Sequence, residues 1–234
     1  MSEAKTMARI VAALFITASI ASVLNVTVMA PIISSQNVLE AVSEHPGTLL
    51  QGALYELISA SAVISIAIFL FPLFRRYNEA LALGYVSARG IEATIVILGA
   101  IFLLMLMNLG EEYAQAAAPA ASHFQTFAAI LLGGVDWTFY LGPKVFFSLS
   151  AVMLNVIFYR TELVPRFLSI WGFIGALMLL AVGVMDLFGV STPTSAVLLM
   201  LPIGLNEMVL AAWLIIKGFN PSALHSLSAV PPVK

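Results

Sequence analysis

Six apolar stretches dictate what this chain can become. About 20 helical residues are needed to cross a hydrocarbon core roughly 30 Å thick, and these stretches run over 8–30, 50–74, 80–107, 136–158, 165–188 and 195–217. In lipid, every backbone N–H and C=O must find a partner within the protein, so only helices and closed barrels span. A barrel would read as short segments of alternating hydrophobicity, and none run through this sequence. The predicted fold class is therefore all-α: a polytopic integral membrane protein with six transmembrane helices in one bundle, 1–234 forming a single transmembrane domain.

Composition narrows the functions open to such a chain. It is 61% hydrophobic and 9% charged, against about 25% charged in soluble proteins, with a mean hydropathy of +1.04. The absence of cysteine removes disulfides, thiolate metal sites and thiol nucleophiles. No basic patch is interleaved with aromatic residues, so nucleic acid is not an expected partner. At the amino terminus, Lys5 and Arg9 precede an apolar run from Ile10 to Ile33. A signal peptide's apolar region is only about 7–15 residues, so the reading is a retained first span.

Orientation follows from the basic residues, which accumulate on the cytoplasmic side. Lys5, Arg9, Arg75, Arg76, Arg160, Arg166, Lys217 and Lys234 all fall at one set of span ends, whereas the other connections hold Glu40, Glu44, Glu111 and Glu112. Both termini are expected in the cytoplasm, and the location expected is a bacterial cytoplasmic (inner) membrane. The two long connections, 31–49 and 108–135, then lie outside. Each is expected to hold a short interfacial helix, one over Gln36–Glu44 and one over Phe124–Leu132, the latter separated from span four by Gly133 and Gly134.

Ionisable residues inside spans are costly, roughly 3 kcal/mol or more at the bilayer centre, and mark candidate sites. Residues three and four apart share a helix face, so Tyr85, Arg89 and Glu92 of span three point the same way. Span six carries Pro202-Ile-Gly-Leu-Asn206-Glu207. Pro202 lacks an amide hydrogen and is expected to bend the helix and free the carbonyl of Leu198. By helical rise, Glu207 lies roughly 15 Å above the basic end of its span, Arg89 roughly 13 Å and Glu92 roughly 18 Å. Shared depth predicts a buried polar cluster of Arg89, Glu92, Asn206 and Glu207, with Tyr85 and Asn155 on its cytoplasmic side. Depth counting also pairs Glu56 of span two with Lys144 of span four. Gly172, Ala176 and Gly183 form a small-residue stripe on span five, as at close helix contacts.

The stretches RRYNEALALGYVSARGIE (Arg75–Glu92), WTFYLGP (Trp137–Pro143), YRTELVPR (Tyr159–Arg166) and PIGLNEMVLAAWLIIKGF (Pro202–Phe219) together resemble a bacterial family of six-span membrane proteins catalogued as domain of unknown function 4386. The resemblance implies a membrane location and six spans. It brings no activity and no catalytic residue with it. It also implies a small residue where Lys144 stands, which would make a Lys144–Glu56 pair particular to this chain.

Three function classes remain. A metal-dependent hydrolase needs clustered histidines, but His45, His123 and His225 all fall outside the spans, and no metal site or cofactor is expected. The serines Ser61, Ser65, Ser87 and Ser148 sit in no nucleophile motif. Enzymatic chemistry reduces to a Glu92–Glu207 acid–base pair on lipid-type substrates, and no residue is assigned as catalytic. Binding or transport of a small molecule, ion or proton at the cluster fits better, with the bilayer and that ligand as partners. The alternative is a structural or regulatory membrane subunit whose buried charges fix packing, acting as a homo-oligomer or with another membrane protein.

Overall fold

The computed structural model describes residues 2–116, 122–190 and 192–229. Residues 117–121 of the expected outer connection, and Lys234, lie outside the described residues. Those described form helices and no strand: α1 (Ser2–Ile33), α2 (Val38–Glu44), α3 (Pro46–Phe74), α4 (Glu79–Gln115), α5 (Ser122–Phe139), a π-helical segment (Tyr140–Phe146), α6 (Phe147–Thr161), α7 (Arg166–Leu187), α8 (Pro193–Ile216) and α9 (Pro221–Ala229). Among the described residues, six helices are long and apolar enough to cross a membrane, α5, the π segment and α6 making one of them.

Local chemistry sets several boundaries. Asn78 is extended and its side chain accepts the Leu81 N–H at 2.9 Å, starting α4 at the expected place. Pro46 opens α3, where a missing amide hydrogen costs nothing. Gly218, at φ 73°, closes α8 in the left-handed region that favours glycine. The backbone of Asn220 then bonds the Leu163 carbonyl at 2.9 Å, tying the start of α9 to the α6–α7 link.

The spanning helices close into a ring in chain order. α1 packs on α3, α3 on α4, α4 on α6, α6 on α7, α7 on α8, and α8 back on α1. In such a ring α4 and α8 stand opposite each other. One core, around Phe15, Phe74, Tyr85, Phe158 and Leu214, fills the end that carries both termini. A second, around Met29, Leu49, Leu103 and Leu106, fills the other end. Large apolar residues such as Ile20, Ile68, Leu98, Ile174 and Leu198 face outward, as a lipid-facing surface requires. Lipid tails give no hydrophobic drive for helices to meet, so close packing must hold them. A Cβ at Gly175 would lie 3.0 Å from the backbone of Ile203, so α7 and α8 approach closely there.

Of the two short helices expected in the long connections, one forms and the other does not. In the first, α2 forms over Val38–Glu44 with Leu39 and Val42 buried, much as periodicity suggested. In the second, Phe124–Leu132 is not a separate helix. α5 runs without interruption through Gly133 and Gly134 into the π segment. Glycine lowers helix propensity by only about 1 kcal/mol, and Gly134 packs against the Phe102 ring of α4, which repays it. The amphipathic α9, with Ala223 and Leu227 buried, had no counterpart in the span count. Pro202 lies inside α8, which continues through it.

Candidate functional site

α4 carries the centre of the site. Tyr85, Arg89 and Glu92 point inward together, and Arg89 is the largest fully buried side chain, 1% exposed. Its Nη1 donates to both carboxylate oxygens of Glu92, at 3.1 and 3.2 Å. Across the ring, Glu207 of α8 brings Oε1 to 4.0 Å from Nη2. The predicted meeting of spans three and six is therefore present, with Glu92 the near partner and Glu207 the far one.

What surrounds the guanidinium is mostly apolar. The Phe147 ring lies 4.8 Å from its central carbon and the Tyr85 ring 5.8 Å, both suited to hold a cation on a π face. Nε and Nη2 of Arg89 have no hydrogen-bond partner among the described residues, nor does the Tyr85 hydroxyl. Those two nitrogens form one edge of the guanidinium fork, the edge that takes a carboxylate bidentately. Buried donors without partners are rare. Here one of them, Nη2, faces Glu207 across the 4.0 Å gap.

The amides form a second group. Asn206 donates to the Leu168 carbonyl of α7 at 2.9 Å, and Asn155 donates to its own helix at the Ala151 carbonyl at 2.8 Å. Both side-chain oxygens converge on Gly172 of α7, the space a Cβ there would fill. Gly172 is thus small for a polar reason as well as for helix approach. Ser169, one turn earlier on α7, is fully buried with an unpartnered hydroxyl. The six predicted cluster residues are thus assembled as two groups, joined where Asn206 and Glu207 are consecutive. Phe147 and Ser169 escaped sequence reading, since neither residue type signals a site by itself.

The predicted Lys144–Glu56 pair is not formed. Lys144 is paired with Asp186 of α7, and its Cβ packs against Gly183. The cause is local. Pro143 cannot donate to Phe139 and its ring crowds that carbonyl, and the helix widens into a π turn, with Phe147 N–H bonded to Gly142. A π turn holds more residues than an α turn, so counting by 3.6 residues misplaces Lys144's face. Asp186, near the end of α7, is the other half of that ion pair. Glu56 makes no ion pair among the described residues and lines a cavity instead. Asn25 of α1 donates to the Gly52 carbonyl at 3.0 Å. His45, His123 and His225 stand at or beyond the ends of the spans, apart from the interior.

Residues 10–218 match a family model described as Domain of unknown function (DUF4386). No curated protein and no solved structure matches the chain.

Proposed function

We propose that this chain, a member of the DUF4386 family, binds a proton at Glu207 within the Arg89–Glu92–Glu207 cluster and passes it through the membrane. The carrying observation is the charge count. One guanidinium faces two carboxyl groups, and Glu92 takes both short contacts while Glu207 stays at 4.0 Å. In a low-dielectric interior an uncompensated carboxylate is costly, so Glu207 calls for one further positive charge. Its side chain is 18% exposed against 6% for Glu92, which makes it the member open to exchange. The open Nε–Nη2 edge of Arg89 offers Glu207 a second position once its proton leaves. Two positions for one carboxyl group supply the bistable element that coupled passage needs.

The enclosure of Arg89 by Phe147 supports a second reading, in which the charges only lock helix packing. Proton flux separates the two. Full-length protein is reconstituted into liposomes enclosing a pH-sensitive dye, and a potassium diffusion potential is imposed. The expected result is acidification above empty vesicles, abolished by Glu207→Gln, with unchanged yield and melting temperature for the variant. Flux equal to empty vesicles in the wild type, or undiminished in the variant, overturns the proposal in favour of the packing lock.

A further inference from the structure

We propose that the cleft between α1 and α5 is a second site, which binds a small organic cation: an ammonium group carried on an apolar body. The cleft encloses about 400 Å³, and small-molecule sites span about 300–1,000 Å³. Met29 and Ile33 of α1, Val96 of α4 and Phe139 of α5 supply apolar walls. Two carboxyl groups, Glu56 of α3 and Asp136 of α5, line the same space.

The other polar groups of the cleft are already engaged. The Asn25 amide donates to the Gly52 carbonyl and the Thr138 hydroxyl to the Val135 carbonyl. The nearby cation, Lys144, is paired with Asp186. Among the described residues neither Glu56 nor Asp136 makes an ion pair. The cleft therefore presents two acidic groups beside apolar walls, Glu56 half-buried and Asp136 exposed. A carboxyl group against such walls takes either a proton or a counter-charge, and among ligands only a cation supplies the latter. A ligand that brings both an ammonium and apolar surface satisfies the whole lining. Val96 of the cleft lies one helical turn beyond Glu92, and neither Arg89, Glu92 nor Glu207 lines the cleft, so this site is distinct from the Arg89 cluster.

The test compares benzyltrimethylammonium with neopentylbenzene, its uncharged carbon isostere, by calorimetry on the full chain in nanodiscs of a zwitterionic lipid. The ammonium is expected to bind, and the isostere about tenfold or more weaker. Glu56→Gln is expected to weaken the ammonium by about the same factor, while Glu111→Gln, an equal charge change on an exposed residue, leaves it unchanged. Ala30→Phe, which fills the cleft from α1, is expected to abolish binding even if Glu56→Gln fails to fold. Equal binding of the two probes, binding insensitive to Ala30→Phe, or no ammonium binding at all would leave only a lipid-filled crevice and overturn the proposal.

Discussion

Arg89 shows how one buried charge organises its neighbours. Its Nη1 holds Glu92 from the same helix turn, and the rest of the guanidinium lies among Phe147, Tyr85 and the approach of Glu207. Removing one partner of a buried ion pair leaves an uncompensated charge, which costs about 3–5 kcal/mol. Arg89→Ala is therefore expected to lower both folded yield and melting temperature sharply. Arg89→Lys is expected to restore only part, because a single ammonium cannot reproduce the planar fork. Thermal melts of the detergent-purified variants check this, and wild-type stability in Arg89→Ala would mean the pair contributes nothing to the interior. The spacing of Arg89 and Glu92 was legible because residues three apart on a helix must share a side. The aromatic ring over the charge was not, since Phe147 reads like any other apolar residue in a span.

Helix contacts carry the next level. α7 sits between α6 and α8, and at Gly172 the side chains of Asn155 and Asn206 reach it from either side. A methyl group there would lie 2.6 Å from the Asn206 side-chain oxygen and closer still to that of Asn155. Forcing extra volume into a packed interior typically costs about 1–3 kcal/mol. Gly172→Ala is thus expected to lower the melting temperature, and Gly204→Ala, with open space around it, to leave it nearly unchanged. Equal melting of the two variants would remove the argument for a polar clasp on α7. The small-residue stripe was visible in the sequence as a packing signal, but its polar occupants were not. The π turn marks the opposite case. Proline at 143 disfavours a regular α turn, but how the helix absorbs it depends on the neighbours it packs against, and Lys144 ends up facing α7 rather than α3.

At the level of the whole molecule, an even number of spans returns the chain to the side where it began. Gly218 accordingly lies near Lys5 and Ala8. Which side that is rests on the charge asymmetry of the connections, and both termini are predicted to be cytoplasmic. The lack of native cysteine makes the measurement direct. A membrane-impermeant maleimide applied to intact cells is expected to label Ser43→Cys at the α2 end, and to label Ser228→Cys only after permeabilisation. The reverse pattern would invert the orientation.

Span number and helical class were determined by sequence alone. In lipid the backbone has almost no alternative to the helix, and helical rise converts position directly into height. Which residues touch at a given height was decided only by the tertiary structure. Azimuth around the ring depends on how side chains interlock, and a single π turn is enough to redirect it. Arg89 and Glu207 therefore met as their depth foretold, whereas Lys144 and Glu56 parted, one to Asp186 and the other to a cleft.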